Sequence, residues 1–403
     1  MNKFIICFWL LFLPGSCLLG QEENYSKLDP ADYHQIGSGL RNSQIQFEQN
    51  KKARVAFLGG SITYNGGWRD SVSNYLQTRF PATEFEFIAA GIPSMGTTPA
   101  AFRLERDVLS KGKIDLLFEE AAVNDASNGR SSDEQIKAME GIFRHLRKSN
   151  PAIDIVMMHF VDPSKMKEYN QNIEPDVIYN HNRVAEHYNI PTINLAKEVT
   201  DRINNKEFTW KKDFKNLHPS PFGQGIYANS MISFLSNAYV DEIGSDNKIT
   251  PHILPDPIDK YAFDQGQLID IKKAKLSTDW NIESNWSPED GTGTRSNYTN
   301  VPMLISNTPG DALKLKFKGT AVGIAVAAGQ DVGFIEFRID KGEWTELNLF
   351  TKWSKSLHLP WYYTLSNELS DKKHLLEVRT SANKDERSTG NACRIRYFYT
   401  NQR

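Results

Sequence analysis

Apolar residues change their period once along this chain, and that change excludes a single architecture repeated throughout. From Ala53 to about Tyr239, short apolar runs alternate with stretches of helical spacing, the pattern of a parallel sheet covered by helices. The run Arg54-Val55-Ala56-Phe57-Leu58 reads as a buried strand ending in the pair Gly59-Gly60, and Trp68, Val72, Tyr75 and Leu76 then recur at helical spacing. FEFIAA, DLLFEEAAV, IDIVMMHF and PTINL read as further strands. Ile136, Met139, Phe143 and Leu146 mark one helix, with Ser132 and Gln135 spaced as a capping box, and Val177, His181, Val184, Ala185 and Tyr188 mark another. Farther on the period becomes two: Leu313, Leu315 and Phe317 alternate with lysines, Ile335, Phe337 and Ile339 follow, and Cys393, Ile395, Tyr397 and Tyr399 close the chain. Strand side chains alternate between faces, so this part reads as all-β, and turns such as Asp340-Lys341-Gly342 favour a sandwich or jelly roll over a barrel. The expected organisation is a lead-in segment over 21–52, a doubly wound α/β parallel-sheet domain over 53–240, an aperiodic linker over 241–264 and a β-sandwich domain over 265–403.

The length of 403 residues suits two cores. Lys and Arg total 47 against 49 Asp and Glu, so no polyanion-binding surface follows from charge and nucleic acid is not an expected partner. The opening MNKFIICFWLLFLPGSCLLGQ sets Lys3 before an apolar run that stops at Pro14. That run is shorter than the roughly 20 residues a bilayer span needs, and residues 1–20 read as a signal peptide. Cleavage after Gly20 fits, as does lipid attachment at Cys17, although Pro14 stands where a lipobox normally has Leu. The expected location is therefore periplasmic or extracellular, or the outer surface through a lipid on Cys17. Cys7, Cys17 and Cys393 are the only cysteines. Once the leader is processed, Cys393 has no internal partner, and stability must come from packed cores. No close set of His and Cys suggests structural zinc, so neither a metal nor a cofactor is expected. No membrane span is expected past the leader, and no obligate protein partner is implied.

Four residues at the ends of successive elements carry candidate chemistry. Ser61 follows the first strand in Gly59-Gly60-Ser61-Ile62-Thr63, at the strand edge where open α/β sheets bind ligands; alone, it is a weak signal, because glycines and serines populate any tight strand-to-helix turn. Gly96, in Ser94-Met95-Gly96-Thr97-Thr98, lets backbone approach a substrate closely or is a simple turn glycine. Asn124, in Ala122-Val123-Asn124-Asp125, offers an amide to a developing oxyanion or caps the next helix. His218 precedes Pro219, which suits a first helical position, so the imidazole would stand on a loop free to enter the cleft.

With these residues in the order Ser, Gly, Asn, His, the sequence resembles the SGNH (GDSL-like) hydrolase superfamily, through GGSIT, GTT, VND and LHP, over Ala53 to Tyr239. The resemblance implies a flavodoxin-like α/β fold and a serine esterase. Ser61 would be the nucleophile and His218 the general base, with an oxyanion hole from the Ser61 and Gly96 amides and the Asn124 side chain. Two positions depart from the pattern: Gly60 replaces the usual Asp before the serine, and Lys215 stands where an Asp normally precedes the histidine by three. Asp213 is the nearest carboxylate and is the expected third triad member; the alternative is a Ser-His dyad.

Other polar residues carry a blander reading. His181, on the apolar face of its helix, reads as a packed core residue, and His159 either borders the cleft or is structural. Glu119 and Glu120 are adjacent on a strand and point to opposite faces, so they cannot flank one glycosidic bond. Asp125 is expected to make a structural hydrogen bond. Trp280, Trp286, Trp344, Trp353 and Trp361 all lie in the all-β part, where tryptophan either fills a core or stacks on sugar. The segment from Trp353 through His358 to Trp361 is the expected ligand-facing or interdomain loop. This part resembles the β-sandwich modules found beside polysaccharide esterases. A glycan substrate bearing O-acyl, foremost O-acetyl, esters is the expectation. Another acyl, lipid or sulfate ester, or a noncatalytic glycan-binding role, is the alternative.

Overall fold

The computed structural model describes residues 27–239, 243–244, 246–310 and 312–402. The expected leader, with Cys7 and Cys17, lies outside the described residues. The first sheet has the order β1-β6-β5-β4-β2-β3, from β1 (His34–Gln35), β2 (Lys52–Gly59), β3 (Glu84–Gly91), β4 (Leu116–Glu119), β5 (Asp154–Met158) and β6 (Thr192–Ile193). Strands β2 to β6 run parallel, and β1 pairs antiparallel with β6 at one edge. Val55, Ala56, Phe57 and Leu58 of β2 are all buried, as a parallel strand covered on both faces requires. The chain passes from β2 to β3 on one side and then crosses to β4 on the other. The carboxyl ends of β2 and β4 therefore flank a topological switch point, where such sheets form a crevice.

Two local expectations shift. The run DLLFEEAAV divides: the strand stops at Glu119 and a helix, Ala122–Asn128, starts three residues later. The helix Ser132–Ser149 is capped one residue earlier than expected, by Ser131, whose hydroxyl accepts from the Glu134 amide at 3.2 Å.

Beyond residue 264 two sheets face each other. One has the order β8-β10-β17-β12-β15-β9, with β7 also on β17, and the other β11-β16-β13-β14. Their strands are β7 (Gly266–Ile269), β8 (Asn281–Trp286), β9 (Gly293–Thr294), β10 (Val301–Ser306), β11 (Leu313–Lys318), β12 (Ala321–Ala328), β13 (Phe334–Ile339), β14 (Thr345–Asn348), β15 (Leu357–Ser366), β16 (Lys373–Thr380) and β17 (Cys393–Asn401). Leu313, Leu315 and Leu376 from one sheet pack with Val322, Ile324 and Ile395 from the other. The lysines of β11 alternate outward, as its period of two demands. Cys393 is buried in that core, and burial pushes its thiol up to about 12, which leaves it chemically inert.

The larger sheet uses both faces. Its outer face carries Ala325, Tyr362 and Tyr399 into the same apolar cluster as Phe102, Met139 and Phe143 of the α/β unit. The Phe102 ring lies 4.3 Å from Tyr399 and 4.9 Å from Phe263, centroid to centroid. Polar links rim this contact: Arg130 donates to the Tyr362 carbonyl at 3.0 Å and Lys137 to Glu368 at 2.8 Å. Among the described residues no helix is long and apolar enough to cross a membrane. Because Phe102 is fully buried at the shared core, Phe102→Ala should cost about 3–5 kcal/mol of stability. Guanidinium unfolding followed by tryptophan fluorescence checks this, and a loss under 1 kcal/mol would mean that the two halves do not depend on that core.

Candidate active site

Strand β2 delivers Ser61 to the crevice through a tight turn. Ser61 opens the short helix Ser61–Tyr64, and its Oγ lies 2.7 Å from His218 Nε2. The turn needs both glycines before it. A Cβ at Gly59 would collide with Thr63 Oγ1 and the Glu120 carbonyl, and one at Gly60 would collide with Asn124 Oδ1. The departure from Asp at position 60 thus has a local cause: the space next to Ser61 is taken by the Asn124 amide group. Asn124 sits in the first turn of Ala122–Asn128, so it reaches the site from a helix and not from the strand end. Its side chain has no hydrogen-bond partner among the described residues, which leaves the amide donors free.

The loop after β3 closes the third side. Gly96 precedes the helix Thr97–Asp107, and a Cβ there would collide with Asp125 Oδ1. Asp125 is fully buried and accepts from the Thr97 amide at 2.9 Å, the Thr97 hydroxyl at 2.6 Å and His181 Nε2 at 3.1 Å. It thereby fixes the loop that carries Gly96, as its expected structural role implies. Ser61 and Gly96 both stand at helix N-termini, where amides lack intrahelical acceptors, and neither donates to backbone elsewhere among the described residues. Ser94 adopts a left-handed φ of 70°, a strained conformation for serine. Asn128 donates to its carbonyl at 3.0 Å, and Arg295 of the second domain to its hydroxyl at 2.8 Å.

His218 lies on a loop two residues before Ser220, which caps the helix Pro221–Ala238; Pro221, and not Pro219, occupies the first helical position. The His218 amide donates to Asn216 Oδ1 at 2.8 Å. Among the described residues no carboxylate reaches the imidazole. Asp213 does not join it: its carboxylate turns back to accept from the Thr209 amide at 2.8 Å and hydroxyl at 2.9 Å. A backbone turn through Lys215, at φ 82°, separates Asp213 from the histidine. Ser61 and His218 are therefore paired without a carboxylate among the described residues. Burial first, and then the nearby Arg295 cation, depress the His218 pKa; both disfavour the imidazolium.

Ser61 and His218 open into a cleft of about 710 Å³ between the two domains. Trp353, 41% exposed, lines it as expected. His358 and Trp361 do not reach it. His358 is buried and bonds Asp290 at 2.8 Å, because its neighbours Leu357 and Leu359 take the strand face that meets the cleft. Trp361 lies farther along the strand beneath the Arg130 guanidinium, 5.4 Å from ring centroid to carbon. Arg295, Tyr64, Leu357 and Leu359 are cleft residues that the sequence did not single out. Arg295 stands in an aperiodic turn of the other domain, so no local pattern ties it to Ser61.

The remaining candidates are structural. His181 is buried on Asp125. His159 is buried, bonds Asn182 at 2.8 Å, and is depressed to about 3 by burial and its His181 neighbour. Glu119 and Glu120 are both buried, and burial raises both, Glu120 to about 7. Trp280 and Trp286 are buried too, and Trp344 lies against Arg338 and Arg379.

Residues 57–226 match the sequence model of the GDSL-like lipase/acylhydrolase family. No curated protein matches the chain. Among solved structures, a two-domain esterase active on acetylated mannans, co-crystallized with mannopentaose, is similar over 93% of this chain and 98% of its own, with 18% identity and a TM-score of 0.70. A structure of a two-domain esterase active on acetylated mannans without that sugar is similar over 92% and 98%, again at 18% identity and a TM-score of 0.70. An acetyl xylan esterase is similar over 45% of this chain and 98% of its own, at 25% identity and a TM-score of 0.38. The two-domain likeness is one of fold, and it extends through both domains.

The dyad geometry makes a titration prediction. His218 should lose its proton below the ordinary imidazole value of about 6.5, and Asp213→Ala should leave that midpoint within about 0.3. NMR titration of the ring measures both; a fall of a full pH unit or more in the variant would put the Asp213 carboxylate beside the imidazole.

Proposed function

We propose, from the match of residues 57–226 to the GDSL-like lipase/acylhydrolase family, that the chain is a serine esterase that removes O-acyl groups, foremost O-acetyl, from an extracellular glycan. The contact of 2.7 Å between Ser61 Oγ and His218 Nε2, at the mouth of a cleft with free amide donors, carries this reading. His218 takes the Ser61 proton as Oγ attacks the ester carbonyl. The oxyanion is assigned to the Ser61 and Gly96 amides and the Asn124 side chain, none of which has another acceptor among the described residues. The imidazolium returns its proton to the departing sugar hydroxyl, and an acyl group remains on Ser61. Water, deprotonated by the same imidazole, hydrolyses that acyl-enzyme and releases acetate.

No carboxylate is needed to hold the base in place. The Asn216 side chain anchors the His218 backbone at 2.8 Å, and the depressed imidazole stays neutral at lower pH than usual. A dyad gives up stabilisation of the imidazolium, which a carboxylate would otherwise supply. Export would put the enzyme where polysaccharides are met, and the leader-like first 20 residues support that part of the proposal. The cleft wall from the second domain, with exposed Trp353, suits a sugar ring. A similar two-domain fold in an esterase active on acetylated mannans supports the glycan.

Acetate release from acetylated polysaccharides, and turnover of 4-nitrophenyl acetate, test the proposal. Ser61→Ala should abolish both, and Asn124→Ala should lower kcat about 10²–10³-fold. Wild-type protein with no acetyl-ester turnover, yet binding the same glycans, would make it a noncatalytic glycan binder. The acid limb of kcat/KM should lie below pH 6.5, because the base acts only when neutral and its midpoint is depressed in the folded protein. A limb centred above pH 7 would exclude His218, as it stands here, from the role of base.

A further inference from the structure

Among the described residues Arg295 is the one Lys or Arg lining the catalytic cleft, and none of them sets a carboxylate against its charge. It lies between β9 and β10 and reaches across the domain boundary, its Nε and Nη2 donating to Ser94 Oγ at 3.2 and 2.8 Å. A serine hydroxyl accepts hydrogen bonds but carries no charge to set against the guanidinium. Several other buried cations on the α/β side have carboxylate partners, Arg103 with Asp107 and Arg130 with Glu134, each at 3.0 Å, and Lys165 with Asp162; Arg147 instead donates to the Ile253 carbonyl at 3.0 Å, away from the cleft. Arg295 has no such partner among the described residues, and burial alone acts on its ionisation.

The rest of the cleft offers no compensation. Among the described residues Asp162 is the single carboxylate lining it, and that group is committed to Lys165 and to capping the next helix through the Ser164 amide at 2.9 Å. The remaining wall is neutral, with Tyr64, Trp353, Leu357 and Leu359 among its residues. A half-buried cation without a counter-charge is costly, and a cleft that keeps one is complementary to an anion. The fork keeps donors to spare: with Ser94 on the Nε–Nη2 edge, Nη1 has no hydrogen-bond partner among the described residues, and the Nη1–Nη2 end of a guanidinium is the edge that suits a planar two-oxygen group.

We propose that the open end of Arg295 is a binding site for a carboxylate on the esterified glycan, so that the preferred substrate is an acetylated polysaccharide containing uronic acid. This rests on the esterase reading above, and adds to it the charge of the sugar beside the ester. Arg295 touches the substrate and takes no part in bond-making; it is a specificity residue contributed by the β domain.

The test compares acetylated oligogalacturonides with the same oligosaccharides after carboxyl reduction to neutral sugars, using the full chain. Wild-type protein should prefer the charged form at least tenfold in kcat/KM, mainly through KM. Raising salt from 20 to 500 mM should shrink that preference. In Arg295→Gln the ratio should fall to near one, and Arg295→Lys should keep part of it. Ser94→Ala removes the clamp and retains the guanidinium, so it should lower both substrates alike and preserve the ratio. Equal wild-type rates on the charged and reduced forms, or an unchanged ratio in Arg295→Gln, would overturn the proposal and leave Arg295 as a donor to neutral hydroxyls. Binding separates this from failure of the esterase reading: Ser61→Ala should bind unacetylated trigalacturonate by calorimetry, and the double variant Ser61→Ala, Arg295→Gln should bind it at least tenfold more weakly. If 4-nitrophenyl acetate turnover proves independent of Ser61, the esterase reading falls while that binding comparison still decides for or against Arg295.

Discussion

Two missing side chains at the end of β2 allow everything else in the site. With no Cβ at Gly59 or Gly60, the turn carrying Ser61 packs directly against the Glu120 carbonyl and the Asn124 amide group. Gly96 repeats the device on the neighbouring loop, where Asp125 fills the space a side chain would take. Three backbone segments from three different crossovers can therefore converge on one hydroxyl, which a bulkier turn would hold apart. The buried Asp125, bonded to Thr97 and His181, turns this convergence into a fixed geometry, since its carboxylate oxygens cannot lose these donors without being left buried and unsatisfied.

The site is also a product of two domains. The β sandwich is not tethered at a distance, because the outer face of its larger sheet shares an apolar cluster with the helices over the first sheet. That shared burial fixes where β9, β10 and the loop before β15 meet the crevice. It makes the cleft wall of Trp353, Leu357 and Leu359, and it carries Arg295 to Ser94. The strained Ser94 backbone is thus held from both sides, by Asn128 of one domain and Arg295 of the other, which ties the loop bearing Gly96 to the packing of the sandwich.

The electrostatics follow from the same arrangement. His218 has the Ser61 hydroxyl on one side and a cation nearby, with no carboxylate behind it among the described residues. In the proposed mechanism such a base is weaker than a triad histidine but remains neutral, and so usable, at lower pH.

The amino-acid sequence by itself determined the two architectures, because hydrophobic period is a local property: helical spacing and buried runs up to Tyr239, alternation from Leu313 onward. It also pointed to Ser61, Gly96, Asn124 and His218, since each lies in a short motif next to a strand or helix end. Local spacing misjudged what depends on side-chain direction. Asp213 is close to His218 in sequence, yet the turn through Lys215 sends its carboxylate back to Thr209. His358 and Trp361 belong to the right strand but stand on the wrong face or too far along it. Arg295 was invisible for the opposite reason: it lies 234 positions after Ser61 in an aperiodic turn, and only the packing of one domain on the other brings it to the cleft. Periodicity is written in neighbouring residues, whereas the aim of a side chain and the meeting of distant loops are set by what the folded core leaves room for.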